Sequence, residues 1–194
     1  MENKKSSMTT KLIVYCGLFA ALAAVLGQLL AFRPAEDMKF TLDKFVLFLS
    51  GMFFGPLAGG LTGLVAEFVG GNLLGRGFTP WLCLPAVLYG VSGGLFRGML
   101  KRKFSIPRLA LAYALPTVIG AVLIQSAVLA WTYYSATFVQ ALYTNLFVRS
   151  IQFSIMLVVE VTIIYTLIKS NIFAHLGLWP KVIKEERRNE NDCN

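Results

Sequence analysis

The sequence predicts an all-α membrane protein, a bundle of six transmembrane helices, and three observations carry that prediction. Residues of the set AVILMFWYC make up 56% of the 194, only 14% are charged, and the mean hydropathy is +0.65; a soluble domain is about 25% charged. At about 20 residues per helix with short connections, the chain holds roughly six spans, which leaves little for a domain outside the bilayer. The basic residues, finally, gather in a few places that alternate with apolar runs. Together these argue against a water-soluble enzyme.

The first apolar run, Leu12 to Phe32, follows Lys4, Lys5 and Lys11. It is longer than the roughly 7 to 15 residues of a signal-peptide core, and so reads as a retained helix. Polar residues Arg33 to Lys39 come next, then an apolar stretch from about Phe40 to Phe54 that ends at Gly55-Pro56. The residue before a proline prefers extended geometry, which makes that dipeptide a turn. A third helix then runs to about Leu74, a short loop spans Gly75 to Pro80, and Trp81 to about Leu100 forms a fourth. The basic connection Lys101 to Arg108 leads to a fifth span, Leu109 to Tyr133, and Tyr134 to Gln140 leads to a sixth, Ala141 to Lys169. The expected organisation is an N-terminal tail over 1–11, a transmembrane domain over 12–170 and a C-terminal tail over 171–194.

On this layout 13 lysines and arginines fall on the side of the two termini and three, Arg33, Lys39 and Arg76, on the other; Lys44 and Arg149 lie within spans. The positive-inside rule therefore places both termini in the cytoplasm of a multi-pass cell-membrane protein. Topology accounts for the net charge of +8, so nucleic acid is not expected as a partner. Cys16, Cys83 and Cys193 have no zinc or disulfide spacing, and His175 is the single histidine, so no metal site is expected.

Small residues recur in the first helix. Gly17, Ala20, Ala21 and Ala24, continuing to Gly27, are spaced by threes and fours, a stripe that lets another backbone approach closely in lipid. It serves either a neighbouring helix of the same chain or docking onto another membrane protein. Gly59-xxx-Gly63 and Gly90-xxx-Gly94-xxx-Gly98 read as internal packing.

An ionisable side chain in hydrocarbon needs a partner or a wet cavity, which makes Asp43, Lys44, Glu67 and Arg149 site candidates. Asn145, Arg149 and Gln152 lie at offsets of four and three, on one face of the sixth helix. Glu67 and Arg149 both fall roughly 10 Å below the outer surface at 1.5 Å per residue. A Glu67 to Arg149 ion pair that only fixes helix register is one reading. The surplus of Lys44, Asn72, Asn145 and Gln152 favours an outward-opening cavity, and only Glu160 continues it inward. Phe78, Trp81 and the aromatic residues between the fifth and sixth helices sit at the same end, as a membrane-interface belt or as stacking platforms. The chain has no nucleophile-base pair, Walker loop or dinucleotide fingerprint, and no cofactor is expected.

The turn Gly51-Met-Phe-Phe-Gly55-Pro56-Leu-Ala-Gly59, the acid in Gly63-Leu-Val-Ala-Glu67-Phe-Val-Gly70, Ala20-xxx-Ala24 and the six-span layout resemble the S components of energy-coupling factor (ECF) vitamin transporters. Phe147-Val-Arg149-Ser-Ile-Gln152, after the aromatic Ala130-Trp-Thr-Tyr-Tyr134, is most similar to the folate-specific members. The resemblance covers about residues 10 to 170. It implies a high-affinity folate-binding subunit without its own ATPase, working with a membrane coupling subunit and two ATPase subunits. Folate suits the candidates chemically. The pterin donors suit Glu67, with Asn145 or Gln152 as amide partners and Asn72 as a further ligand-binding candidate, the ring suits Phe78 or Trp81, and the two tail carboxylates suit Arg33, Arg76 or Lys44. Riboflavin would leave Arg33 and Arg76 idle and thiamine, a cation, would favour acids over a basic mouth. An integral-membrane enzyme would have only Glu67 with Asp43 as a carboxylate pair.

Overall fold

A computed structural model of the chain describes residues 2–28, 31–35, 38–73, 80–102, 104–133, 138–170 and 173. Helix α1, Glu2–Gln28, is followed by two short antiparallel strands, β1 Phe32–Ala35 and β2 Met38–Phe40, with Phe32 opposite Phe40. Next come α2 Lys44–Phe54, α3 Pro56–Leu73 and α4 Pro80–Leu95, and the short α5 Arg97–Arg102. One long rod then combines α6 Ile106–Pro116, a π-helical segment Thr117–Ile124 and α7 Gln125–Tyr133; α8 Phe138–Lys169 closes the chain. The architecture is helical, with the hairpin as a small exception to the all-α expectation.

Among the described residues three helices are long and apolar enough to cross a bilayer: Thr10–Gln28, Ile106–Val128 and Leu146–Lys169. Lys44–Phe54 and Cys83–Leu95 are shorter apolar helices. Large side chains such as Ile13, Leu18, Leu57, Leu61, Phe147 and Val158 stand 62 to 84% exposed around the outside. That is the surface of a protein solvated by lipid, since a water-soluble monomer does not leave so much apolar area uncovered.

The helix boundaries on either side of the hairpin differ from expectation for local reasons. Phe32 and Phe40 belong to the hairpin rather than to helices, so α1 ends at Gln28 and the second helix begins only at Lys44. With 11 residues, α2 is about 16 Å long at 1.5 Å per residue, roughly half the thickness of the hydrocarbon. The turn after it falls where expected: Gly55 has φ +102°, a left-handed conformation open to glycine, and Pro56 opens α3 where its missing N–H costs nothing.

Glycine knits α2, α3 and α4 together. A Cβ on Gly59 would stand 2.5 Å from the Cα of Gly51 and 2.5 Å from the carbonyl oxygen of Gly90, and one on Gly63 would stand 2.6 Å from the carbonyl oxygen of Ala86. Three backbones therefore meet with no side chain between them, the packing that small residues permit in lipid. Gly98 meets nothing within 4 Å and lies outside this contact.

The buried core centres on Val46, Phe48, Met52, Tyr89 and Tyr113. The Tyr113 ring packs 5.1 Å from Phe48 and 5.3 Å from Tyr89. Helix α4 packs both on α2 and α3 and on the rod formed by α6, the π segment and α7. It is the element that joins the glycine-knit trio to the α6–α8 side.

Candidate functional site

Because α2 starts in the middle of the bundle, its first residues bring charge to that depth. The Lys44 ammonium lies 2.6 Å from Asp43 Oδ2 and 3.8 Å from Glu67 Oε1 on α3. Asp43 is buried, and the Glu67 side chain keeps 26% of its surface exposed. Two small residues let these groups close up: Gly27 of α1 faces the Asp43 side chain, and Gly70 of α3 faces the Gln28 amide. One lysine thus holds two carboxylates from different elements, an arrangement that offsets the cost of placing each charge in a medium of low dielectric.

The helix start also leaves unpaired amides that no local side chain caps, since Asp43 makes no capping bond. Glu160 of α8 is buried in the same interior. Its carboxyl Oε2 accepts a hydrogen bond from the Tyr113 hydroxyl at 2.6 Å. Tyr89 O–H donates to Thr117 Oγ1 at 3.0 Å, and Thr117 in turn donates to the Tyr113 carbonyl. The acid singled out as an inward continuation of the cavity therefore ties α8 to α6 through Tyr113.

Above this, Arg149 and Gln152 of α8 are buried, 8% and 3% exposed. Lys44, Glu67, Arg149 and Gln152 all occupy the interior, and Glu67 pairs with Lys44 at 3.8 Å. Asp43 joins the cluster as a close partner of that lysine. Asn72 lies on an exposed face of α3 and the Trp81 ring is 66% exposed, which matches a membrane-edge position better than an enclosed one. The side chains of Arg33 and Asn145, and Arg76 and Phe78 entirely, lie outside the described residues.

The small-residue stripe of α1 divides in two. Ala20 and Ala24, 3% and 4% exposed, are buried within the chain, which favours the internal-packing reading for these two. Gly17 and Ala21 stay exposed, and nothing lies within 4 Å of a Cβ built on Gly17.

A family described as ECF-type riboflavin transporter, S component, matches residues 7–172. The chain belongs to this S-component family. A crystal structure of FolT bound with folic acid is similar to this S component with a TM-score of 0.70 and 27% identity, over 81% of this chain and 94% of that one. UPF0397 proteins of Streptococcus pneumoniae serotype 19F (strain G54) and strain 70585 are 33% identical over 93 residues, 48% of this S component and 51% of each relative. The chain spans about half the length of these curated relatives. Family and fold are those of transporter S components, which are membrane proteins and not enzymes.

Proposed function

We propose that this S component binds folate from outside the cell and delivers it inward together with a membrane coupling subunit and two ATPase subunits. The observation that carries the reading is the likeness to folic-acid-bound FolT, which extends over 94% of that chain. The chemistry of the interior supports it. The 2-amino-4-oxo edge of a pterin presents adjacent N–H donors, and a carboxylate such as Glu67 accepts two of them side by side. Arg149, Gln152 and Asn145 suit the ring's remaining acceptors and donors, and Arg33 or Arg76 suits the carboxylates of the glutamate tail.

Riboflavin is the second reading, and the description of the matching family favours it. The isoalloxazine edge presents two carbonyl oxygens flanking one N–H, which meet a carboxylate with repulsion rather than pairing. Docking on the coupling subunit falls to the exposed side of α1, where Gly17 and Ala21 leave room for a partner backbone. Mass spectrometry of small molecules retained by the detergent-purified protein, with calorimetric titration of folic acid and riboflavin, tests the proposal. A retained pterin and tight folic acid binding are expected; binding of riboflavin alone overturns the folate assignment.

A further inference from the structure

The fifth span carries a device that neither the charged cluster nor the family likeness explains. Along its buried face Tyr113, Thr117 and Ala121 follow at steps of four, each 0 to 4% exposed. The π-helical segment Thr117–Ile124 then adds a residue to the turn, with the Gln125 amide donating to the Gly120 carbonyl. The next inward place is taken at a step of five by Ser126, which is 0% exposed. A segment of this kind is rare and recurs at functional sites.

The hydroxyl it turns inward behaves unlike its counterparts. Ser50, Thr62, Thr117, Ser150, Thr162 and Thr166 each donate to a carbonyl three or four residues earlier, at 2.7 to 2.8 Å. Ser126 Oγ has no hydrogen-bond partner among the described residues, and the buried Oε1 of Gln125 beside it has none either. Buried polar atoms are nearly always paired; Arg97 Nε and Glu160 Oε1 also lack a partner, but Gln125 and Ser126 put two such atoms side by side, which points to a partner that is not part of the chain.

Their depth says what that partner meets. Tyr113 pairs with Glu160 across the antiparallel α6 and α8, so Ser126, thirteen residues outward, is level with about Phe147, within one turn of Arg149. The π segment and α7 both pack on α8. We infer that Ser126 and Gln125 are ligand contacts that recognise the ring of the bound molecule, a planar nitrogen heterocycle carrying an N–H or exocyclic amine beside a ring nitrogen or carbonyl. The inference rests on the reading of this interior as a vitamin pocket. The hydroxyl donates to a ring acceptor, and the amide oxygen accepts from a ring N–H or amine.

The test uses the full chain in detergent, with Ser126→Ala and Gln125→Met compared with the unaltered protein. Dissociation constants for folic acid and for riboflavin are measured, together with melting temperatures in the absence of either. For the vitamin that the unaltered protein binds, each substitution is expected to weaken binding at least about tenfold, the scale of one lost hydrogen bond in a desolvated site. The ligand-free melting temperature should stay the same or rise, because each change removes a buried polar atom that had no partner. Unchanged affinity overturns the inference, and so does a loss of affinity that only tracks a lowered ligand-free melting temperature. If the unaltered protein binds riboflavin and not folic acid, the folate assignment fails while Ser126 and Gln125 are judged on riboflavin.

Discussion

Lys44 touches Asp43 and Glu67 at once, and removing its charge leaves two carboxylates inside the bundle with less compensation. Lys44→Met is therefore expected to lower stability by about 3 to 5 kcal/mol, read as an earlier ligand-free melt. Adding Glu67→Gln should recover part of that loss, because one of the stranded charges goes with it. A single substitution that melts with the unaltered protein would show that the lysine reaches water. Arg149 has a different expected role. Arg149→Ala should cost about 2 to 5 kcal/mol in folic acid affinity, measured by titration, with a much smaller change in the ligand-free melt. Equal losses in both would make the arginine a structural group.

Among the elements, α1 and α2 show what the amino-acid pattern conveys and what it hides. The Gly55-Pro56 turn was legible because two adjacent residues determine it. The start of α2 was not: Phe40, Thr41 and Leu42 are mostly apolar like the helix that follows, and composition does not distinguish an extended strand entering the bundle from a helix crossing it. On α1, small residues occur at neighbouring positions, so spacing alone leaves open which pair faces inward. The structure buries Ala20 and Ala24 and exposes Gly17 and Ala21. Ala20→Leu should thus destabilise the isolated protein by about 1 to 3 kcal/mol through overpacking. Ala21→Leu should leave folding and ligand binding intact and abolish uptake in cells that contain the coupling subunit. Melting, titration and uptake assays on the two variants check this, and a reversed pattern would put the partner on the other side of the helix. The π segment was invisible beforehand, because it is a change of hydrogen-bond register with no compositional mark.

At the scale of the whole molecule, apolar runs and the glycine spacing in the third and fourth spans were enough to indicate a membrane bundle with close internal contacts. The shared depth of Glu67 and Arg149 was read from rise per residue, but their ion partners depend on where α2 begins, and that no count of residues could give. The uneven distribution of lysine and arginine yields an expectation that can be measured directly. Reporters fused to either terminus should be cytoplasmic, and a tag inserted beside Arg76 should be accessible from outside. A cytoplasmic tag at Arg76 would invert the bundle and close the proposed route of entry. The glycine contact predicts a second outcome: Gly90→Ala places a methyl group against the backbone of α3 and should cost about 1 to 3 kcal/mol or more, with loss of folded protein on size-exclusion chromatography.

That backbone contact also divides the labour of change within the family. Where Gly51, Gly59 and Gly90 press main chain against main chain, almost any mutation is a defect, so lineages can drift little there whatever vitamin they carry. The rod containing the π segment and α8 packs through side chains, which can be exchanged one at a time while the trio stands. New ligand preferences should therefore arise away from that contact, at Glu67 and around Ser126, Arg149 and Gln152, and a library of variants confined to those positions should yield altered selectivity far more often than one of equal size spread over the glycine contact.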